Sequence, residues 1–206
     1  MQKSSKIIVS GDSLAYGRID PEGNGWVSRL RKWFEEKAPA QNAVFNLGVG
    51  GHSTTKMLPR FEIELVSRGP DLILLEVGVN DCRHVDLADA PIETPPDVFI
   101  SNYNKIICSS KKLTDRIIIL SMIPVDEKRT TPIGNLFHFL HDQKVYHQLM
   151  LSIAKENSVH FINLFDEWLS DKNYSNLLED GLHPNSQGHE KIYQSVKLYL
   201  QQVNYI

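Results

Sequence analysis

The chain has 206 residues and a formal net charge of −3, from 22 basic and 25 acidic side chains. This length suffices to bury roughly 70% of the surface that the unfolded chain exposes, so a single domain over residues 1–206 is expected without stabilising disulfides. The near balance of charge, with no stripe of Lys and Arg, argues against nucleic acid or an anionic bilayer as a partner.

The first ten residues, MQKSSKIIVS, form a polar lead followed by a short apolar run. The run is too short for the hydrophobic region of a signal peptide, and no small-residue cleavage site follows it. No window holds the ~18 apolar residues typical of a membrane-spanning helix. The only cysteines, Cys82 and Cys108, lack CxxC spacing, so we expect reduced, buried thiols in a cytoplasmic protein.

Short apolar runs alternate with amphipathic stretches along the chain. The runs, rich in branched residues, predict strands buried on both faces at residues 6–10, 43–47, 71–77, 116–121 and 159–163. Apolar residues recurring three and four positions apart predict helices at residues 26–36, 54–67, 98–113 and 137–157, and a last helix capped by Asn185 or Ser186. The alternation predicts a three-layer α/β/α sandwich with a five-stranded parallel sheet. The proline-rich segment 90–97 is expected to be a loop.

Four unusual stretches follow the predicted strands. GDSL follows the first strand, GVGGHS the second and GVND the third, and DGLHPN comes after the fifth strand and an intervening segment. Ligands of open parallel sheets bind beyond the carboxyl ends of the strands, so all four stretches map to the edge where a ligand is expected. Each stretch alone is weak evidence, because Gly, Asp, Asn and Ser are also ordinary turn residues.

Ser13, in the stretch GDSLAYG, is either a nucleophile or, with Asp12, a cap of the following helix. A serine hydroxyl needs a base to attack at neutral pH, and His183 is the candidate. Asp180, three residues earlier, could fix the imidazole tautomer and stabilise the imidazolium. Pro184 disfavours a helical conformation at His183, so this pair belongs to a loop; a solvated turn is the alternative.

Acyl transfer also needs hydrogen-bond donors aimed at the developing oxyanion. The backbone N–H of Gly51 and the side-chain amide of Asn80 are candidates. The ordinary alternatives are a strand-to-helix connection for Gly50 and Gly51, and a cap for Asn80 and Asp81. These alternatives lose weight because nucleophile, base, acid and donors would all have to meet at one sheet edge by accident.

The ordered set of motifs resembles the GDSL esterases, also called SGNH hydrolases. GDSLAYG, NLGVGG, GVND and DGLHPN occur in the order of that family's serine, glycine, asparagine and histidine blocks. The resemblance implies a flavodoxin-like sheet of strand order 2-1-3-4-5. It also implies a lipase, esterase or thioesterase that hydrolyses a small ester substrate without a metal or organic cofactor.

Matched position by position, the resemblance makes Ser13 the nucleophile, His183 the base and Asp180 the acid that orients it. The implied oxyanion donors are three groups: the Ser13 N–H, the Gly51 N–H and the Asn80 amide. Gly50 is the alternative to Gly51, and Asn46, which opens the glycine block, is given a supporting role.

Three further residues adjoin the predicted site and are expected to contact substrate: Asp12, His52 and His84. The connections at residues 82–97 and 124–140 fall on the same edge. The second connection carries apolar side chains that either line an acyl pocket or form the buried face of a helix. They are Ile133, Leu136, Phe137, Phe139 and Leu140.

The remaining histidines are not expected to bind a metal. His138, His141 and His147 lie near one another in sequence but lack an H-E-x-x-H pattern. His160 and His189 are expected to be structural or exposed.

Two other functions stay open from the sequence. The same site could remove acetyl groups from a sugar or transfer an acyl group. A non-catalytic module binding flavin or a nucleotide is the second alternative, although neither G-x-G-x-x-G nor G-x-x-x-x-G-K-[ST] occurs. Neither the acyl length nor the oligomeric state follows from the sequence.

Overall fold

The structure, a computed structural model, describes residues 5–205. Residues 1–4, the start of the segment in which no signal peptide was expected, and residue 206 lie outside this range. In the described part of the chain no helix is both long and apolar enough to cross a membrane.

A five-stranded parallel sheet forms the centre of the fold, with a separate two-stranded antiparallel pair. Within residues 5–205 the strands are β1 (Ser5–Gly11), β2 (Asn42–Gly48), β3 (Leu72–Glu76), β4 (His84–Val85), β5 (Ile117–Leu120), β6 (Leu136–Phe137) and β7 (His160–Ile162). The large sheet has the order β2-β1-β3-β5-β7, and β4 pairs with β6. Counted over the five parallel strands, this is the predicted order 2-1-3-4-5, which is confirmed.

Helices connect the strands and cover the sheet. They are α1 (Ser13–Tyr16), α2 (Gly25–Glu35), α3 (Thr54–Val66), α4 (Pro96–Lys111), α5 (Glu127–Thr130), α6 (Leu140–Asn157), α7 (Leu164–Leu169) and α8 (Ser186–Gln202), with a 3₁₀ turn at Tyr174–Leu177. The four predicted inter-strand helices correspond to α2, α3, α4 and α6. The last predicted helix is α8, and its cap is Asn185, whose side chain accepts a hydrogen bond from the Gly188 N–H.

The central strands are buried because helices pack on both faces. All five residues of β3 are buried, as are residues 7–11 of β1. On one side α2 packs against α8, and on the other α4 packs between α3 and α6. In α2 the buried side chains recur with helical spacing, so one stripe faces the sheet. They are Trp26, Val27, Leu30 and Phe34.

Two expectations about individual elements are wrong. The helix predicted from residue 137 begins at Leu140, because Phe137 pairs with His84 in the antiparallel β4–β6 pair. Cys108 is exposed rather than buried, since it lies on the solvent side of α4, whereas Cys82 is buried.

Candidate active site

Ser13 begins helix α1 two residues after β1 ends in the sheet centre. Gly11 permits this tight passage, since a Cβ there would lie 2.2 Å from the Glu76 carbonyl oxygen. The Asp12 carboxylate caps α1 by accepting a hydrogen bond from the Leu14 N–H at 3.0 Å. Both sequence interpretations of this stretch therefore hold in part. Asp12 caps the helix, and the Ser13 hydroxyl faces His183, which is distant in sequence.

The hydroxyl, the imidazole and a carboxylate form a continuous chain of contacts. Ser13 Oγ lies 3.0 Å from His183 Nε2, and His183 Nδ1 lies 2.7 Å from Asp180 Oδ2. The other Asp180 oxygen accepts from the N–H groups of Leu182 and His183, at 2.9 and 2.7 Å. With Nδ1–H donating to Asp180, Nε2 is the acceptor that faces the serine.

The Asp180 carboxylate is held in its charged form. Partial burial works to raise the pKa of Asp180, but the hydrogen bonds from the His183 side chain and backbone outweigh it, so the pKa lies below the ordinary value. A stable anion at this position favours protonation of the imidazole during proton transfer.

The glycine block turns tightly beside the nucleophile. Asn46 holds β2 against α1, because its Nδ2 donates to the Ala15 carbonyl at 2.7 Å while its Oδ1 accepts from the Gly48 N–H. Gly51 has a positive φ of 77°, which favours glycine there. A Cβ at Gly50 would lie 3.9 Å from Ser13 Cβ, so this loop runs along the nucleophile.

The two polar residues of GVND point to different places. Asn80 Nδ2 donates to the His52 carbonyl at 3.1 Å and lies 3.4 Å from Asp12 Oδ2. Asp81 instead accepts from the Thr54 backbone and hydroxyl at the start of α3. Burial raises the pKa of Asp81 to about 6, although those donors oppose the rise.

The predicted catalytic and oxyanion residues line one open cavity of about 480 Å³. Its lining includes Ser13, Gly51, Asn80, Asp180 and His183. Gly50 lines it as well, so the geometry keeps both glycines next to the nucleophile. The catalytic and oxyanion residues predicted from four separate stretches therefore line one cavity.

The residues expected to contact substrate lie elsewhere. Asp12 has no exposed surface, so its carboxylate supports α1 and cannot reach a substrate in this arrangement. His84 contacts the Ala90 carbonyl and, at 3.0 Å, Asp142, and lies outside the cavity wall. His52 also lies outside the wall; its carbonyl orients Asn80, and burial and Arg60 lower the pKa of its ring.

The apolar cluster at residues 133–140 divides between pocket and core. Ile133 and Leu136 line the cavity, as expected for an acyl pocket. Phe137 and Phe139 instead stack on each other with ring centroids 6.5 Å apart, and Leu140 packs against the core. These three residues are not in the cavity wall.

The remaining histidines do not converge. His138 and His147 are buried and His141 is exposed, and residues 5–205 hold no group of three or more His, Cys, Asp or Glu side chains suited to a metal ion. His160 contacts the Tyr199 hydroxyl at 2.8 Å, and His189 is buried with Nε2 3.3 Å from the Arg18 carbonyl.

Sequence reasoning missed charged residues near the nucleophile, among them Arg83 and Glu76. Arg83 lines the cavity and lies only three positions after Asn80, so the stretch GVNDCR carried the signal. Glu76 is buried beneath α1, where its Oε2 accepts from the Ala15 N–H at 2.9 Å. Burial, and next the neighbouring Asp12, raises the pKa of Glu76 well above its ordinary value. A carboxylate ending the most apolar strand was its sign in the sequence.

Comparison with known proteins gives consistent matches over nearly the whole chain. The model of the GDSL-like Lipase/Acylhydrolase family matches residues 9–191. An arylesterase of Vibrio mimicus is 29% identical over 183 residues, covering 89% of this chain and 82% of that protein. An acetylxylan esterase of Geobacillus stearothermophilus is 25% identical over 202 residues, covering 89% and 88%.

Solved structures show the same fold. A lipase/acylhydrolase from Enterococcus faecalis superposes with a TM-score of 0.79 at 20% identity, covering 96% of each chain. The acetyl xylan esterase AlAXEase superposes with a TM-score of 0.77 at 23% identity, covering 95% of this chain and 99% of the other.

Proposed function

Because the chain belongs to the GDSL-like lipase/acylhydrolase family and is a carboxylic ester hydrolase, we propose that it cleaves esters through an acyl-enzyme on Ser13. The observation that carries this proposal is the contact chain from Ser13 Oγ to His183 Nε2 at 3.0 Å and from His183 Nδ1 to Asp180 at 2.7 Å. Because the chain is a carboxylic ester hydrolase, we no longer consider the alternative function of a non-catalytic module that binds flavin or a nucleotide.

In the first step His183 Nε2 takes the proton of Ser13 as Oγ attacks the ester carbonyl carbon. The carbonyl electron pair moves onto oxygen, and the N–H groups of Ser13 and Gly51 together with the Asn80 amide stabilise that charge. The tetrahedral intermediate collapses with cleavage of the bond to the alcohol, which leaves with the proton from His183. Asp180 stabilises the imidazolium between these two proton transfers.

In the second step water attacks the acyl-serine. His183 takes a proton from the water, the same donors hold the new oxyanion, and collapse releases the carboxylic acid while His183 returns the proton to Ser13. All proton transfers use the single imidazole of His183, and water is the second substrate.

We propose that the substrates are esters with a short acyl group. The apolar side chains Ile133, Leu136 and Leu182 share the cavity with the nucleophile, and about 480 Å³ suits a small ester. Deacetylation of a sugar is the second candidate, favoured by the similarity to acetylxylan esterases. Rates on 4-nitrophenyl acetate, butyrate and octanoate, set beside acetate release from acetylated xylose, distinguish the two.

A fluorophosphonate probe tests the nucleophile. We expect the wild-type protein to be labelled on Ser13, identified by peptide mass spectrometry, and Ser13→Ala to remain unlabelled. Ser53→Ala is the matched control, because Ser53 is also buried near the glycine block but its side chain makes no capping hydrogen bond to α3. A folded wild-type protein that stays unlabelled, or a label that persists in Ser13→Ala, would overturn the acyl-enzyme proposal.

A further inference from the structure

We infer that Arg83 is a positioning residue for the oxyanion hole, whose guanidinium fixes the Asn80 amide with its N–H groups turned towards the nucleophile. The inference rests on the proposed role of Asn80 as an oxyanion donor. Arg83 itself acts through Asn80 and needs no contact with the reacting atoms.

The hydrogen bonds around Asn80 allow one orientation of the amide. Arg83 Nη1 donates to Asn80 Oδ1 at 2.7 Å in a buried contact. On the opposite side Nδ2 faces the His52 carbonyl and the Asp12 carboxylate. A 180° rotation would place the NH₂ group against the guanidinium and the oxygen against the His52 carbonyl, so both of these contacts would become repulsive.

Arg83 is itself held in place, so it can fix the orientation of the Asn80 amide. Its side chain is buried, and Nε donates to Glu93 Oε2 at 2.5 Å. The Glu93 N–H also donates to the Arg83 carbonyl at 2.9 Å, so the two residues are joined by backbone as well as side chain. The planar guanidinium donates to Glu93 from Nε and to Asn80 from Nη1, at a separation and angle that are fixed, whereas an ammonium has a single donor nitrogen.

The orientation bears directly on catalysis. One Nδ2 hydrogen is engaged by the His52 carbonyl at 3.1 Å, and the contact of Nδ2 with Asp12 Oδ2 is the longer and weaker one, at 3.4 Å. The hydrogen in the weaker contact is the one that can turn to an oxyanion. A cationic donor on Oδ1 draws electron density from the amide and strengthens that N–H as a donor, and its orientation is set before the substrate arrives.

A purely structural role is the competing explanation, since Arg83 and Glu93 also join the two ends of the connection between β3 and α4. Lys56 separates the two roles. Its Nζ contacts the other Glu93 oxygen, Oε1, at 2.8 Å, whereas the contact to Asn80 comes from Arg83. Lys56→Met therefore removes one cation from the same carboxylate and leaves the amide orientation intact.

A double-mutant cycle on kcat with 4-nitrophenyl acetate tests the inference. We expect Asn80→Ala to lower kcat by about 10²–10³-fold and Arg83→Met by about 10–10²-fold, with little change in KM. Because Arg83 acts through Asn80, the double variant should lose no more than Asn80→Ala alone, within about twofold. Lys56→Met should keep the wild-type kcat.

The outcomes separate this inference from the proposed function. Wild-type kcat in Asn80→Ala would remove Asn80 from the oxyanion hole and with it part of the proposed mechanism. An Asn80 effect with no Arg83 effect, or with losses that multiply in the double variant, would overturn the positioning role alone. Should Arg83→Met fail to fold, Arg83→Lys decides: reduced kcat at a wild-type melting temperature supports the inference, and unchanged kcat overturns it.

Discussion

The proposed active site joins two regions that the chain builds in different ways. The strand-end region, residues 11–16 and 76–83, continues directly from buried parallel strands. The histidine loop, residues 178–185, follows the 3₁₀ turn at Tyr174–Leu177 and leads into α8, so no strand delivers it. The loop is held by hydrogen bonds such as Glu179 N–H to the His183 carbonyl at 2.8 Å.

The pKa values of the carboxyl groups are shifted in opposite directions in the two regions. In the strand-end region burial raises the pKa of Asp12 to about 7 and of Asp81 to about 6, and raises the pKa of Glu76 well above its ordinary value. In the histidine loop burial also opposes ionisation, but the hydrogen bonds from His183 hold the pKa of Asp180 below its ordinary value.

The difference shows what each region requires. Neutral N–H and O–H donors satisfy the strand-end carboxylates, and those donors do not offset the loss of hydration. Asp180 pairs with a group that becomes a cation during the proposed reaction, so its charge is needed there. The buried carboxylates of the strand-end region thus rely on neutral hydrogen-bond donors, whereas the carboxylate of the histidine loop relies on a partner that becomes charged.

Removing the residue that joins the two regions gives the largest expected effect. His183→Ala deletes the imidazole 3.0 Å from Ser13 Oγ, and we expect kcat to fall on the order of 10⁴–10⁶-fold because the serine loses its base. Ester hydrolysis at substrate saturation measures this. His141→Ala, which removes an exposed histidine on α6, is the control and should keep full activity. Comparable activity in both variants would contradict the role of His183.

Displacing the histidine loop without touching its catalytic groups gives a smaller loss. Gly181 has a positive φ of 92°, and a Cβ there would lie 2.6 Å from Arg129 Cβ. Gly181→Ala should shift the loop and lower kcat by about 10–10²-fold, since misplacement by ~1 Å costs this much.

Gly69→Ala is the matched control for that prediction. Gly69 also has a positive φ, of 62°, but a Cβ there would meet nothing within 4 Å. Both variants place an alanine at a positive φ, so both should unfold at a lower temperature. Only Gly181→Ala should lose activity; an equal loss of kcat in the two variants would show that general destabilisation is responsible.

The sequence predicted the strand-end region better than the histidine loop. Buried parallel strands have a simple pattern, and the rule that ligands bind at their carboxyl ends placed Ser13, Gly51 and Asn80 at one edge. The approach of His183 to Ser13 is set by packing across 170 positions, which no local pattern contains. The sequence offered His183 as the candidate base because DGLHPN maps to the same sheet edge as Ser13, and the family resemblance then gave both residues their roles.

The misses have physical reasons as well. The short helix α5 and the pair β4–β6 span too few residues to show periodicity, so the helix predicted from residue 137 wrongly included Phe137, the second residue of β6. Asp12 was placed at the substrate because neighbours in sequence often share a site, but a capping carboxylate points back into its helix.

The raised pKa of Asp12 predicts that the free energy of unfolding depends on pH. The folded state holds a proton on Asp12 up to about pH 7, whereas the unfolded chain releases it near pH 4. Stability should therefore fall as the pH rises from about 4 to about 7, by at most about 1.4 kcal/mol per pH unit from this group. Asp12→Asn should flatten that fall.

Urea unfolding of wild type and Asp12→Asn at pH 5, 6, 7 and 8 measures the difference. The charge of Asp12 also raises the pKa of Glu76. Asp12→Asn removes that charge and should therefore lower the pKa of Glu76, so the stability difference between the variant and wild type should grow at high pH. Asp89→Asn, at an exposed position, is the control and should follow the wild-type curve. Parallel curves for all three proteins would contradict the cost assigned to the buried carboxylate.

Asp180 predicts the opposite dependence over a smaller range. Its folded-state pKa lies below the unfolded value near 3.9, so its contribution is fully present above about pH 4 and is lost as the pH falls through the folded-state pKa. We expect Asp180→Asn to be less stable than wild type at pH 6, by about 1–2 kcal/mol, and the two to converge below pH 4. Convergence on the alkaline side instead would mean that the two regions share one electrostatic behaviour, and the contrast between them would not hold.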